Sequence, residues 1–174
     1  ATIAAAGTTY DSWSAIDVGD SHMLAIRASD RALFGWGYNG QGQLGDGTTK
    51  SRPVTIITTT PSVSNITQIN TTGTGAAAFV DGYSVWTIGN NTNAELGDGT
   101  TIAKNYLQRQ LTSKSPTAIT GSGHMAAIVG NTLYTWGLNT SYQLGDGTAL
   151  NKSSPLVVGL PTSDENPNQD TWTF

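Results

Sequence analysis

The chain has 174 residues, enough for one domain with a sizeable core, and its lack of Cys excludes a disulfide framework and a thiol nucleophile. Only 11% of the residues are charged, the net charge is −4, and the eight basic residues are scattered, which argues against nucleic acid as a partner. No apolar run approaches the roughly 20 residues of a membrane span, so we expect no membrane insertion. The start, ATIAAAGTT, lacks an initiator Met and the features of a signal peptide, which predicts a processed chain or part of a longer one.

The first part of the chain predicts four short β-strands. Three runs of β-type residues come first: Ala15–Val18, Met23–Arg27 and Arg31–Trp36. The turn Ala28–Asp30 joins the second run to the third. The segment GWGYNGQGQLGDGTT (35–49) follows, and then a Pro and an apolar stretch over Arg52–Ile56. No sustained helical periodicity appears here or elsewhere in the chain.

The same order of elements recurs twice more. The second copy has an Asp81-Gly82 hairpin turn and the segment TIGNNTNAELGDGTT (87–101), and the third has Gly130-Asn131 and TWGLNTSYQLGDGTA (135–149). Three Asn residues coincide in the alignment: Asn39, Asn91 and Asn139. The second copy departs from the others, because it aligns Gly75 with the His, Ile88 with the Trp and Glu95 with the Gln.

Four short strands in units of about 50 residues predict the blades of a β-propeller, an all-β fold. The predicted boundaries are 13–61 for repeat 1, 62–115 for repeat 2 and 116–161 for repeat 3. The last residues, DTWTF, resemble DSWSA at the start of the first unit, which predicts that a fourth repeat begins at 170–174.

The pattern H-x-x-A-I followed by W-G-x-N-x-x-x-Q-L-G-D-G-T resembles the regulator-of-chromosome-condensation repeat. The resemblance covers nearly the whole chain in three copies and implies a propeller, usually of seven blades with four antiparallel strands each. Three blades do not close a ring. Either the chain is a segment of a longer propeller or several copies complete the ring, and the need of repeat arrays for neighbours on both sides favours the first.

The motif LGDGT, present three times, is the first candidate site. A carboxylate between two glycines invites a calcium or phosphate site, but no second carboxylate follows in any copy, and no helix or suitably placed Lys is predicted. We therefore predict structural turns formed by three Gly-Asp-Gly triplets: Gly45, Asp46, Gly47; Gly97, Asp98, Gly99; and Gly145, Asp146, Gly147.

Two His and two Trp at equivalent repeat positions form the second candidate set. His22 and His124 lack a third ligand that a zinc site would need. The resemblance implies a structural role for this His position, and Trp36 and Trp136 are predicted to pack between blades. No nucleophile, Walker or zincin motif is present, so the sequence predicts neither an enzyme nor a cofactor or metal site.

The predicted function is therefore a non-catalytic interaction or scaffold module. The uncharged, Thr- and Asn-rich composition favours a virion protein (phage decoration, fibre or tail) or another extracellular protein, with further copies of itself, virion proteins or a cell-surface glycan as partners. Three Tyr expected in loops are the candidate binding surface: Tyr38, Tyr106 and Tyr142. The alternative is a propeller domain of a larger exchange factor, inhibitor or enzyme-linked regulator whose active part lies outside this segment.

Overall fold

A computed structural model describes residues 12–56, 63, 65–73, 75–112 and 116–159. Twelve strands form three four-stranded antiparallel sheets, each a meander in chain order. Blade one contains Trp13–Val18 (β1), His22–Arg27 (β2), Leu33–Gly37 (β3) and Arg52–Ile56 (β4). Blade two contains Gln68–Thr71 (β5), Ala76–Val80 (β6), Ser84–Gly89 (β7) and Lys104–Thr112 (β8). Blade three contains Pro116–Gly121 (β9), His124–Val129 (β10), Thr132–Gly137 (β11) and Lys152–Val157 (β12).

These sheets confirm the predicted all-β fold of four-stranded blades. The exact repeat boundaries remain predictions, and the proposed fourth repeat at 170–174 lies outside the described residues. In the part of the chain that the structure describes, no helix is long and apolar enough to cross a membrane.

The first strands of the three blades lie side by side along the inner edge of the array. Strand β1 contacts β5, and β5 contacts β9. The backbone N–H of Thr71 donates to Asp17 Oδ2 at 2.6 Å, and Gln68 Nε2 donates to the Thr117 carbonyl at 2.7 Å. Because each meander runs outward from these strands, β4, β8 and β12 lie at the periphery.

Two apolar cores lie between the blades rather than within them. We call the face that a blade turns to the next one its forward face, and the face that meets the preceding blade its rear face. The first core joins the forward face of blade one to the rear face of blade two, and its members include Leu24, Ile26, Leu33, Ala77, Phe79 and Ile88. The second joins blades two and three in the same way and includes Ala78, Val80, Val85, Met125, Ala127 and Trp136.

The position of each blade decides the burial pattern of its strands. Every residue of β6 and β7 is buried, because the middle blade is covered on both faces. In β10 of blade three, buried residues alternate with residues that are exposed or half-buried. The Ala-rich strand Ala76–Val80 therefore lacks the alternation expected of a sheet with one solvent-facing side.

The register of blade two corrects the sequence alignment by one residue. His22 pairs with Gly37 and His124 with Gly137, and the residue that pairs with Gly89 is Ala76. The equivalent of the two His is therefore Ala76 and not Gly75. The alignment was wrong because the small residues Gly75 to Ala78 offer no side chain that marks the register.

The first hairpin also differs from the prediction. The third strand begins at Leu33 and not at Arg31, because Arg31 has a φ of 59° and its N–H donates to the Arg27 carbonyl at 3.0 Å within the turn. The other two hairpins use a glycine at positive φ, as predicted: Gly82 at 85° and Gly130 at 62°.

Candidate functional site: the LGDGT rim

The three LGDGT motifs lie in loops that connect the third and fourth strands of each blade. Antiparallel order puts these loops on the same rim as the turns between the first and second strands. We call this edge the LGDGT rim; it comprises the loops 38–51, 90–103 and 138–151. The opposite edge, the hairpin rim, carries the turns 28–32, 81–83 and 130–131.

A fully buried Asn organises each LGDGT loop. In blade one, Asn39 Nδ2 donates to Asp46 Oδ1 and to the Thr48 carbonyl, both at 3.1 Å, while Asn39 Oδ1 accepts from the Leu44 N–H at 2.9 Å. The same bonds recur around Asn91 and Asn139. The sequence alignment found these Asn residues but did not assign them this role.

Each loop carboxylate is also paired with a cation that the sequence analysis missed. The three ion pairs are Arg52–Asp46 at 2.8 Å, Lys104–Asp98 at 3.6 Å and Lys152–Asp146 at 2.9 Å. The sequence signal for these ion pairs was a basic residue six positions after each Asp. It is visible in all three copies, but only the fourth strand, which begins at that residue, places the cation beside the loop.

The ionised form of each loop carboxyl is favoured. Burial raises the pKa of Asp46, but hydrogen bonds from Thr48 and from the loop's cation outweigh burial, so the pKa lies below the usual Asp value. The pKa of Asp98 is lowered against burial in the same way. For Asp146 the hydrogen bond from Lys152 is the largest cause, and it lowers the pKa of the carboxyl.

The surroundings of the three carboxylates suit a structural anion. Each is met by amide, hydroxyl and cationic donors, which occupy the oxygens that a metal ion would need. Among the described residues, no group of three or more His, Asp or Glu could hold a metal. The structural role of the nine Gly and Asp residues stays a prediction, and these bonds support it.

The loops also join each blade to the next. The Gly47 N–H donates to the Asn105 carbonyl at 3.0 Å, and the Gly99 N–H donates to the Ser153 carbonyl at 2.7 Å. At the second interface, Trp136 Nε1 donates to the Glu95 carbonyl at 2.7 Å. The first two LGDGT motifs are therefore turns that also contact the next blade.

The two His and two Trp do not share one environment. Trp136 is fully buried between blades, whereas its equivalent Trp36 is half-buried. His22 is buried, its Nε2 has no hydrogen-bond partner, and burial lowers its pKa despite the opposing charges of Asp17 and Asp20. His124 is only half-buried. The packing role of these four residues stays a prediction.

The three candidate Tyr residues come from three different blades. Tyr38 and Tyr142 lie on the LGDGT rim, as expected of loop residues, and they are 47% and 59% exposed. Tyr106 was expected in a loop but lies in the outer strand β8. The structure adds two exposed apolar side chains on the same rim, Ile102 and Leu150, which the sequence analysis did not single out.

Radially arranged four-stranded meanders with cores between them define a segment of a β-propeller. A sequence profile of the "Regulator of chromosome condensation (RCC1) repeat" matches residues 31–78 and 131–168, and a second profile of the same repeat matches residues 13–43. These matches cover more than half of the chain, which therefore belongs to the RCC1-repeat family.

Solved structures share this fold. Human WBSCR16 matches with a TM-score of 0.73 and 24% identity over 87% of this chain and 40% of that one. Prp20p from Saccharomyces cerevisiae, described with its binding to Gsp1p and histones, matches with a TM-score of 0.72 and 18% identity over 87% and 39%. Yeast RCC1 (Prp20) bound to Kap60 gives 0.73 and 16% over 87% and 38%. The chain thus spans about two-fifths of the length of these propellers.

Proposed function

We propose that this chain is a non-catalytic, protein-binding segment of an RCC1-type β-propeller and that the LGDGT rim carries its partner-binding surface. One observation carries the proposal: this rim exposes four large apolar side chains, each between 47% and 68% exposed, namely Tyr38, Ile102, Tyr142 and Leu150. Exposed aromatic and aliphatic side chains on a rigid frame are typical of protein-binding surfaces.

The chemistry of the rim supports binding rather than catalysis. The three Asp carboxylates of its LGDGT motifs are engaged by Asn and Thr of their own loops and by the cation that begins the fourth strand. A general base or nucleophile must be able to reach a substrate, whereas these carboxylates are already bonded to groups of their own blade. Catalytic or exchange activity of a larger protein would reside outside this segment.

The family match favours a regulator over a virion component. The structure that describes the binding of Prp20p to Gsp1p and histones concerns protein partners, and we propose partners of the same general kind here. The virion and extracellular hypotheses rest on composition alone and gain no support from the family match. A glycan platform gains none from it either.

The test compares the two rims of the propeller. The immobilised chain is used to capture proteins from an extract of its source, and a captured partner is then purified and titrated by calorimetry. Combined Tyr38→Ser and Leu150→Ser changes should weaken binding about tenfold or more, since each removes a large exposed apolar contact. Tyr83→Ser, a Tyr on the hairpin rim that is 71% exposed, is the control and should leave the affinity unchanged.

Equal effects of the two sets of changes, or an effect of Tyr83→Ser alone, would contradict the assignment of the rim. Detection of the chain in purified virus particles would instead support the structural alternative.

A further inference from the structure

One position of the LGDGT loop stays exposed even where a blade lies on each side of it. This position is two residues before the cation of the fourth strand, and we call its three occurrences, Lys50, Ile102 and Leu150, the rim set. Ile102 belongs to the middle blade, which packs against blade one and against blade three, and it is still 65% exposed. The exposure of this position is therefore a property of the rim and does not depend on where the described residues begin or end.

The loop of the middle blade presents one large side chain to solvent. Its other exposed residues are small, namely Thr92, Gly99, Thr101 and Ala103. The structure describes this loop, 90–103, in full, so Ile102 is the one large side chain that is exposed there. A partner that touches the outer part of the rim at this blade must therefore meet Ile102.

The backbone of each residue of the rim set is fixed by two hydrogen bonds. The Ile102 N–H donates to Thr100 Oγ1 at 3.3 Å, and the Ile102 carbonyl accepts from Asn91 Nδ2 at 3.2 Å. Lys50 and Leu150 make the same two bonds at 3.1 to 3.4 Å. Because the loops already hold these residues in place, less conformational entropy is lost when a partner binds their side chains.

The three blades differ in the chemistry that they present at this position. Lys50 is cationic, whereas Ile102 and Leu150 are aliphatic, and Leu150 is 68% exposed. In the described part of the chain, the Lys50 ammonium has no carboxylate within ion-pair distance. Asp20 is exposed on the same rim, but it lies in the turn 19–21 at the inner edge of the array, whereas Lys50 lies in the loop that leads to the outer strand.

We propose that the rim set binds a protein segment that carries an Asp or Glu near blade one and two large apolar side chains near blades two and three. Lys50 would meet the carboxylate, and Ile102 and Leu150 would pack against the apolar side chains. The inference rests on the proposed function, because it names the chemistry of the partner that the LGDGT rim would bind.

The spacing of the blades sets the length of such a segment. Sheets that pack face to face lie about 10 Å apart, and an extended chain rises about 3.3 Å per residue. An extended segment would therefore need at least about seven residues to reach all three positions of the rim set.

The charge pattern favours an acidic and apolar protein segment over other anionic partners. An exposed cation without a carboxylate partner, followed by two aliphatic side chains, complements a segment with one acid and two apolar groups. Nucleic acid and anionic lipid surfaces are bound by rows or clusters of cations, and only one of the three positions of the rim set is basic.

Selection from a library of random peptides of about twelve residues, long enough to span the rim set, tests the proposal. The 174-residue chain is immobilised, and the peptides that it enriches from phage are synthesised, labelled and titrated by fluorescence anisotropy. We expect the enriched peptides to carry an Asp or Glu at one end of a stretch that also contains two large apolar residues.

Two variants test the two kinds of contact separately. Lys50→Glu should weaken the selected peptides about tenfold or more, and selection on this variant should enrich Lys or Arg in place of the acid. Combined Ile102→Ser and Leu150→Ser changes should also weaken them about tenfold or more. Val157→Ser is the matched control, because Val157 is 56% exposed but lies at the far end of the outer strand β12, and it should leave the affinity unchanged. The loop bonds use only backbone atoms of the rim set, so these variants should fold.

An exchange of two residues separates recognition of position from nonspecific adhesion. Lys50→Ile combined with Ile102→Lys keeps the composition and the net charge of the rim and moves the cation to the middle blade. Peptides selected on the unaltered chain should bind this variant about tenfold more weakly. Selection on the variant should place the acidic residue between the two apolar ones.

The outcomes distinguish this inference from the proposed function. Peptides without an enriched acid, or equal affinities for the unaltered chain, Lys50→Glu and the exchange variant, would overturn the inference. The LGDGT rim would remain the binding surface if the combined Ile102 and Leu150 variant still lost these peptides. If no rim variant weakened them, or if the chain enriched no peptide above an uncoated surface, the inference would be overturned together with its basis in the proposed function.

Discussion

Trp136 and Trp36 occupy the same position in two blades and have different surroundings. Trp136 is fully buried, donates to the Glu95 carbonyl and lies against Gly97. Trp36 carries the same motif context, W-G-x-N, but is half-buried at the rear face of blade one. Both blades carry the motif, and among the described residues only blade three has a preceding blade that completes the contact.

The comparison extends to whole strands. All of β7 in the middle blade is buried, whereas β11 of blade three is buried only toward its end. Stability in such an array is approximately a sum of blade terms and nearest-neighbour interface terms. Equivalent substitutions at internal and outer faces should therefore differ by the interface term, and four predictions test this difference, from the largest expected effect to the smallest.

Trp136→Ala should lower the free energy of unfolding by about 3–5 kcal/mol, because it removes a fully buried indole and leaves a cavity between two blades. Trp36→Ala should cost about 1–2 kcal/mol, since part of the side chain is already in contact with water. Urea denaturation at a concentration where the chain is monomeric measures both. Equal losses would show that the interface does not stabilise Trp136.

Gly97→Ala should cost about 2–5 kcal/mol in total, combining the strain of a left-handed backbone with overpacking against Trp136. Gly145→Ala should cost about 1–2 kcal/mol, the strain alone, because its Cβ would meet only a Val158 methyl at 3.7 Å. The φ angles of 67° and 70° make the pair a matched control in thermal unfolding. A larger loss at Gly145 would contradict the assigned interface.

Asn91→Ala should cost about 2–3 kcal/mol, because it leaves the Leu96 N–H and the Thr100 carbonyl without their partner inside the loop. Asn91→Asp should be at least as damaging, since a carboxylate cannot donate and would face Asp98. Denaturant midpoints of both variants provide the test. A neutral Asn91→Asp would show that the amide is not the organising donor.

Acidification should have the smallest of the four expected effects on stability. Asp46, Asp98 and Asp146 have folded-state pKa values below 3.8, so their contribution is fully present above that pH and is lost as the pH falls through the lowered values. Stability measured from about pH 5 down to about pH 2 should decline less steeply in Asp98→Asn, which carries one titrating group fewer. If stability falls with pH equally steeply in Asp98→Asn and in the unaltered chain, Asp98 does not contribute to the pH dependence through a lowered pKa.

Much of the fold follows from the sequence because its unit is local. Each blade is a meander whose strands pair with their neighbours in the chain, so the runs of β-type residues and the Gly turns predicted four strands in each copy. The errors arose where side chains carry no marker: Gly75 was aligned in place of Ala76, and Arg31 was placed in a strand although its backbone is left-handed.

Less of the candidate site could be predicted from the sequence. The LGDGT loops were predicted as turns from their glycines, but the cations Arg52, Lys104 and Lys152 were missed, because a spacing of six residues has no meaning until the fourth strand returns beside the loop. Tyr106 was placed on a loop because its segment is polar, and the long strand β8 corrects this.

The sequence by itself determined the repeat, the order of strands and the family, since these depend on short-range patterns that recur in every copy. Only the tertiary structure decided which side of each loop is a blade interface, which Trp is buried and which blade faces meet within the described residues. Those contacts join residues about 40 to 60 positions apart. Identical motifs therefore make different contacts when different parts of the chain pack beside them.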